Sequence, residues 1–170
     1  MIHDIIKIPN SILSKPSAAV TVVDDAVRKL LDDMLETMYA ASGIGLAAVQ
    51  IGVARRLVVM DVAGAQSREP LFLVNPEIVW SSEETTEHEE GCLSIPDAAG
   101  MVTRPAEVAI CFLDREGTRR EKQCDGLLAT CVQHEIDHTN GILFIDRLSR
   151  LKRERIIKRS VKTRRDTLAA

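Results

Sequence analysis

A glutamate lies between two histidines in the run H-E-I-D-H, which places His134 and His138 four residues apart. On a helix, this spacing brings both imidazoles to one face, where they can bind a single divalent ion while Glu135 projects beside it and transfers a proton. Leu127 and Cys131 precede the histidines at helical spacing, which indicates that this face points into the protein. The motif therefore predicts a metal-dependent hydrolase.

A third metal ligand must lie elsewhere in the chain, because a catalytic ion of this kind normally has three protein ligands and one open position for water. The ten residues after His138 contain neither histidine nor glutamate, and Asp146 is the one carboxylate among them. Upstream, the run E-E-G-C-L-S offers Cys92, and Gly91 before it lets the backbone approach closely. An HExxH metallopeptidase, with its third ligand downstream, remains the alternative on spacing alone.

The chain also contains G-I-G-L-A-A-V-Q, from Gly43 to Gln50. These three blocks, in this order, resemble peptide deformylase. The resemblance extends over nearly the whole chain, including a leading strand, a long first helix and the basic C-terminal helix that is typical of the family's common bacterial form. A divergent member with altered substrate preference is a second alternative.

The resemblance implies a role for each residue of the centre. Glu135 is the general base and acid, and the side chain of Gln50 and the backbone N–H of Leu93 stabilise the oxyanion. Glu90 pairs with Arg104 and braces the loop that carries the metal. The implied metal ligands are Cys92, His134 and His138. The implied substrate-binding positions, which present backbone groups as a strand would or line the pocket, are Gly43, Ile44, Gly45, Gly91 and Cys131.

The implied reaction removes the N-formyl group from the N-terminal formylmethionine of nascent polypeptides. Metal-bound hydroxide attacks the formyl carbon, Glu135 passes a proton to the leaving amine, and formate is released. Two imidazoles and a thiolate suit iron, zinc, nickel or cobalt, and ligand type does not choose among them. The resemblance implies Fe²⁺ in the cell, with Zn²⁺, Ni²⁺ or Co²⁺ as replacements in purified protein.

Helices and antiparallel strands are predicted to position these residues. The first helix covers about Asp24 to Tyr39, the second begins at an Asp125 cap and ends near Gly141, and a basic third follows Ser149, covering about 149–167. Strands are predicted at 55–62, 71–76, 107–114 and 119–124. This pattern predicts an α+β fold in which antiparallel sheets pack around a central metal-binding helix, as one domain over residues 1–170.

Three residues depart from the resemblance. His88 and Thr130 stand where aliphatic residues usually line the methionine pocket, and Ala99 stands where a larger, often basic, residue meets the substrate backbone. These departures leave the chemistry intact but predict altered side-chain preference or peptide affinity.

Charge is distributed unevenly. The net charge is −3, yet the stretch from Lys152 to Arg165 holds eight basic residues against one acidic residue, Glu154. This stretch predicts either an ordinary solvated helix or a salt-dependent dock on ribosomal RNA, and a non-catalytic ribosome-associated module is a further alternative. No apolar run is long enough to span a membrane, and Asp4 and Pro9 interrupt any secretory signal, so a cytoplasmic protein with free cysteines is expected.

Overall fold

The structure, a computed structural model, describes the backbone of residues 1–169 and the side chains of residues 1–163, 165 and 166. Over these residues the chain forms three α-helices and seven strands. They are α1 (Asp25–Ala40), β1 (Gly45–Ala47), β2 (Leu57–Met60), β3 (Leu71–Ser81), β4 (Thr85–Cys92), β5 (Ile95–Pro105), β6 (Val108–Leu113), β7 (Arg119–Cys124), α2 (Gly126–Thr139) and α3 (Arg150–Ala169). Three short 3-10 helices cover Ser11–Ser14, Ala48–Ile51 and Phe144–Arg147. The predicted α+β class is confirmed.

Helix α1 begins where the sequence predicts. The side chain of Asp24 accepts a hydrogen bond from the backbone N–H of Val27 at 2.9 Å, which satisfies one of the free donors of the first turn. Leu31, Met34 and Met38 recur at helical spacing and are fully buried against one face of the main sheet.

The main sheet has five antiparallel strands in the order β1-β2-β3-β6-β7. Strand β2 is buried on both faces, because Leu57 and Val59 pack towards α1 while Val58 and Met60 pack towards α2. This explains why its sequence is continuously apolar rather than alternating. Strand β1 lies at an edge of the sheet, so its outer side has no neighbouring strand among the described residues.

Helix α2 packs on the opposite face of this sheet and carries H-E-I-D-H. Ala129, Val132 and Ile136 join the sheet's apolar cluster, and every residue from 129 to 139 is buried. The predicted central position of the metal-binding helix is confirmed. Asp125 occupies the position before the helix as expected, but its side chain makes no capping hydrogen bond, so the prediction of a side-chain cap is wrong.

The hairpin of β4 and β5 is the largest element that sequence analysis missed. The run T-T-E-H-E-E lacks the apolar alternation of a half-buried strand, since four of the eight residues of β4 are exposed and only Glu90 is buried. Its register pairs Glu90 with Gly100 and Cys92 with Ile95, with an irregularity between Gly91 and Cys92. Cys92 therefore lies at the end of a strand, and the predicted loop around the metal is the tip of this hairpin.

The start of the chain forms no strand in the structure, which corrects the leading strand that the resemblance implies. The segment is nevertheless fixed by backbone hydrogen bonds. The N–H of Ile6 donates to the Gln50 carbonyl at 2.8 Å, and the N–H of Ile8 donates to the Ser94 carbonyl at 3.0 Å. These contacts attach residues 6–8 to both sides of the metal centre.

Helix α3 begins one residue after Ser149, as predicted. Ile156 and Ile157 pack with Phe144 and the hairpin strand residue Val102 in a third apolar cluster, while most of its basic side chains face solvent. No helix in the described part of the chain is long and apolar enough to cross a membrane. The single-domain organisation stays a prediction.

Candidate metal centre

Helix α2 and the hairpin tip bring three metal-binding groups together. One ligand atom from each of Cys92, His134 and His138 lies within 4.8 Å of the other two, and Cys92 Sγ is 3.3 Å from His138 Nε2. Divalent ions of this class bind sulfur at about 2.3 Å and imidazole nitrogen at about 2.0–2.1 Å, so donors this close can share one ion. The structure thus places all three predicted ligands in one cluster.

The surroundings of the two imidazoles fit a cation. Burial lowers the pKa of His138 well below its usual value, which keeps the ring in the neutral form that binds metals. Burial also disfavours charge on His134, but hydrogen bonds with Cys92 and Glu90 outweigh it and raise the pKa of His134 to about 10. Anionic groups around His134 therefore favour a positive charge where the ion would sit.

Glu90 and Arg104 orient one of these ligands. Glu90 Oε2 lies 3.0 Å from His134 Nδ1, so this nitrogen carries the proton and Nε2 is left for the metal. Arg104 donates two hydrogen bonds to the Glu90 carboxylate, at 2.5 and 2.9 Å, and both side chains are almost fully buried. Burial opposes ionisation of Glu90, but hydrogen bonds from Arg104 and His134 prevail and lower its pKa to about 2. The structure therefore contains the Glu90–Arg104 pair, and its role as a brace stays a prediction.

The brace extends further than the sequence suggested. Arg104 Nη1 also donates to Asp137 Oδ2 at 2.9 Å, and Arg147 binds both oxygens of Asp137 at 2.6 and 2.7 Å. Two carboxylates and two guanidinium groups thus form one neutral network that ends on His134, in which Arg147 is exposed and the other three side chains are buried. Sequence analysis missed Asp137 and Arg147, although Asp137 stands inside H-E-I-D-H, next to a predicted ligand.

Breaking this network should be costly. Arg104→Met leaves Glu90 and Asp137 buried without their shared cation, and removing one partner of a buried pair typically costs about 3–5 kcal/mol. Denaturant unfolding of the metal-loaded protein should show this loss. Arg150→Met, which removes an exposed pair with Glu154, is the control and should change the unfolding free energy little. Equal effects of the two substitutions would contradict the network's importance.

Glu135 lies on the same helix, beside the ligand cluster. Its Oε2 is buried and has no hydrogen-bond partner among the described residues, and burial raises its pKa to about 7. A Cβ atom on Gly45 would clash with the Glu135 carboxylate, so only glycine lets strand β1 approach this group so closely. The site therefore holds one carboxylate whose proton can be gained or lost near neutral pH.

Gln50 is held in one orientation. Its Oε1 accepts a hydrogen bond from the Ala47 N–H at 2.9 Å, while its Nε2 points to Ser94 Oγ at 3.1 Å and towards Cys92 Sγ at 3.6 Å. The amide donor is thus directed at the metal centre. Ser94 was not predicted, and its place in the run that carries Cys92 is the only sequence signal that could have indicated it.

A cavity of about 390 Å³ opens beside these groups and is called the metal cavity here. Its lining includes the predicted positions Gly43, Ile44, Gly45, Gly91, Leu93 and Cys131. Two of the backbone groups predicted to meet substrate are already engaged, because the Gly43 N–H donates to Met38 and the Ile44 carbonyl accepts from Asp61. Only the remaining groups of the edge strand can pair with a substrate.

The three residues that depart from the family resemblance lie in different places. Thr130 lines the metal cavity as expected, but His88 and Ala99 are not among its lining residues. Ala99 lines a separate cavity between the hairpin and α3. Cys131 donates weakly to the Ile44 carbonyl at 3.6 Å, and burial raises its pKa well above the usual value, so it lines the cavity as a neutral thiol. All four cysteines are free, as predicted.

A Cys, His, His donor set beside a buried glutamate, on the central helix of an α+β fold, defines a metal-dependent hydrolase. Residues 2–154 match the sequence profile of the family described as polypeptide deformylase. The chain belongs to this family.

Known relatives agree over almost the full length. A peptide deformylase from Methylocella silvestris is 56% identical over 162 residues, which cover 93% of this chain and 83% of the relative. The crystal structure of peptide deformylase from Ehrlichia chaffeensis superposes with a TM-score of 0.94 at 40% identity and covers 99% of each chain. A second structure of that protein, in complex with actinonin, gives a TM-score of 0.90 at 41% identity, covering 95% of this chain and 97% of that chain. The activity is that of a metal-dependent peptide deformylase, so the metallopeptidase alternative is not supported.

Proposed function

We propose that this chain removes the formyl group of N-formylmethionyl nascent peptides with Glu135 as the group that moves the proton. The observation that carries this proposal is the buried, unpartnered Glu135 oxygen beside the Cys92, His134 and His138 cluster. A carboxyl group with a pKa of about 7 can accept a proton at neutral pH and give it back within one turnover. Glu135 takes the proton of the attacking water and delivers it to the leaving amine nitrogen.

The ion would be held by the thiolate of Cys92 and the Nε2 atoms of His134 and His138. When bound, it lowers the pKa of a coordinated water towards neutrality and polarises the formyl carbonyl. We propose Fe²⁺ as the ion in the cell and Zn²⁺, Ni²⁺ or Co²⁺ as replacements in purified protein. The half-buried Cys92 thiolate would make the iron form sensitive to oxygen.

The amide of Gln50 and the backbone N–H of Leu93 would stabilise the oxyanion that forms on the carbonyl oxygen. Support comes from the fixed orientation of Gln50, whose Nε2 is directed towards Cys92 by the hydrogen bonds of Ala47 and Ser94. Leu93 directly follows the proposed ligand and lines the metal cavity. Donors that are already oriented stabilise the developing charge without reorganisation during the reaction.

Gln50→Ala should therefore slow deformylation by about 10²–10³-fold, the usual effect of losing one oxyanion donor. Gln50→Glu is the sharper companion, because it keeps the size of the side chain and the bond from Ala47 but replaces the donor by an acceptor. Steady-state kinetics with a formyl-methionyl tripeptide and metal analysis measure both effects. Unchanged kcat in the metal-loaded Gln50→Glu variant would remove Gln50 from the mechanism.

The substrate would bind as an added strand along the outer edge of β1. Gly43 and Gly45 line the metal cavity where a Cβ atom would meet Leu93 or Glu135, and Gly91 faces the same cavity from the hairpin. The methionine side chain would enter the metal cavity beside Cys131. Thr130, on the lining of that cavity, is the departure expected to affect side-chain preference.

The decisive assay is formate release by anaerobically purified, iron-loaded protein from a formyl-methionyl peptide. The same peptide without its formyl group serves as the control, since a metallopeptidase would cleave its peptide bonds. We expect stoichiometric formate and an intact peptide. The proposed function would be overturned if the protein cleaved peptide bonds in the unformylated control and released no formate from the formylated peptide.

We also propose a cytoplasmic location and contact with the ribosome through α3. Lys158 and Lys162 are exposed on this helix and would face RNA phosphates. Lys158→Glu combined with Lys162→Glu should weaken salt-dependent co-sedimentation with ribosomes. Lys15→Glu combined with Arg119→Glu makes an equal charge change at exposed positions outside α3 and should leave ribosome binding unchanged. Equal ribosome binding by both double variants would contradict docking through α3.

A further inference from the structure

A second cavity, called the N-terminal cavity here, lies beyond the hairpin tip. Its volume is about 890 Å³, more than twice that of the metal cavity. Residues 2–8 form one wall, Ala40 and Ala41 at the end of α1 form another, and Pro96 with Arg159 and its neighbours on α3 closes the far side. This volume lies within the range of about 300–1,000 Å³ that is common for ligand sites.

The two cavities share a wall. Leu93 lines both, and its side chain packs so close to Gly43 that a Cβ there would lie 2.7 Å from Leu93 Cδ1. Gly45 lies against Glu135, and Gly43, two residues earlier, lies against Leu93. Ala41, two residues earlier again, lines the N-terminal cavity. The chain turns at residues 41 and 42 before β1 begins at Gly45, so the Leu93 side chain, packed against Gly43, is the contact that joins the two cavities.

The metal cavity alone is too short for a long peptide. An extended chain advances about 3.3 Å per residue. Because Gly43, against Leu93, comes only two residues before Gly45, against Glu135, a peptide whose formyl end lies at Glu135 would pass Leu93 within its first three or four residues. Beyond that point the N-terminal cavity is the concave surface that adjoins the metal cavity at Leu93. Residues after the third or fourth of the substrate would reach it.

The lining of the N-terminal cavity suits a peptide of varied sequence. Ile5, Ile6 and Pro96 supply apolar surface, while charges of both signs stand around it. The charged lining residues are Asp4, Lys7, Asp97 and Arg159. Apolar contact with mixed charge recognises an extended chain without selecting one side-chain type, as an enzyme that processes many nascent chains requires.

We propose that the N-terminal cavity binds the segment of the substrate that follows its first three or four residues. The proposal rests on the deformylase function proposed above and extends its substrate from a short formylated end to a longer nascent segment. The consequence is a length dependence: kcat/KM should rise on the order of tenfold from a formylated tripeptide to a formylated octapeptide that shares its first three residues.

Ala40→Trp tests this directly, because Ala40 is exposed at the end of α1 and its larger replacement would fill the cavity away from the metal. In this variant the ratio of kcat/KM for the octapeptide to kcat/KM for the tripeptide should fall to about one, while kcat/KM for the tripeptide stays unchanged. Ala26→Trp is the matched control, since Ala26 is exposed in the first turn of the same helix and does not line the cavity. It should keep the full length dependence.

Ser160→Trp narrows the cavity from the opposite wall, on α3, and should remove the octapeptide advantage in the same way. The N-terminal cavity is not a substrate site if Ala40→Trp and Ser160→Trp both keep the higher kcat/KM for the octapeptide. The same conclusion follows if the unmodified enzyme deformylates the tripeptide but shows no higher kcat/KM for the octapeptide. If the unmodified enzyme releases no formate even from the tripeptide, the proposed function itself is overturned. The two failures are thus separated by the tripeptide rate.

Discussion

Glu135→Gln should leave the protein fully metal-loaded and lower the kcat of deformylation by about 10²–10⁴-fold, the usual contribution of a positioned general acid or base. The amide keeps the volume of the carboxyl group but cannot accept the proton of water. Because Glu135 is not in the cluster of ligand atoms formed by Cys92, His134 and His138, the ion should remain bound. Metal content and single-turnover formate release measure the two properties independently.

Glu89→Gln is the matched control for this experiment. Glu89 also lines the metal cavity, yet it is solvent-exposed, on the outer part of the hairpin. Its replacement should change kcat little. If Glu135→Gln lost its metal, Glu135 would act as a ligand, and if the variant kept full activity, another group would have to move the proton.

The structure explains why Glu135, among the buried carboxylates beside the ligand cluster, is left without a paired cation. Two other carboxylates lie nearby on the metal side of α2 and the hairpin, and both are neutralised. Glu90 is bound by Arg104 and His134, and Asp137 is bound by Arg104 and Arg147. Glu135 has no such cation within hydrogen-bonding distance among the described residues, so burial dominates and its pKa rises to about 7. The network thus orients His134 and leaves Glu135 as the carboxylate without a paired cation, which supports its proposed role in moving the proton.

The elements that the sequence predicted well are those whose buried faces repeat regularly. Helix α1 shows the three- and four-residue spacing of Leu31, Met34 and Met38, and β2 is apolar throughout because both its faces are covered. The β4/β5 hairpin could not be predicted this way. Its stability comes from pairing with its own partner strand and from packing of β5 on α3 and the Phe144 helix, which no local pattern records.

The same distinction holds for the site. His134 and His138 are related by a local helical spacing that predicts them directly, whereas the sequence offers Cys92 only as a candidate third ligand, which the family resemblance then assigns. Arg147 lies ten residues from its partner Asp137, and neither its type nor its position marks it as part of the centre. Long-range ion pairs of this kind depend on how α2 meets the following 3-10 helix, so they become visible only in three dimensions.

Cys92→Ser should abolish stable metal binding and with it all measurable deformylation. A serine hydroxyl remains protonated at neutral pH and cannot replace the thiolate, so the ion would keep only the two imidazoles. Equilibrium dialysis against zinc or cobalt measures the loss directly, and the absorption of the cobalt form reports whether a sulfur ligand is present.

Cys131→Ser is the matched control, because Cys131 lines the same cavity but lies outside the ligand cluster. It should retain the metal. The competing ligand is Asp146, whose carboxylate is already engaged by the Leu143 N–H at 2.9 Å and by Arg153 at 2.8 Å. A Cys92→Ser protein that keeps its ion while Asp146→Asn loses it would reverse the assignment. The structure predicts the opposite, since Cys92 Sγ already lies 3.3 Å from the His138 nitrogen that would share the ion.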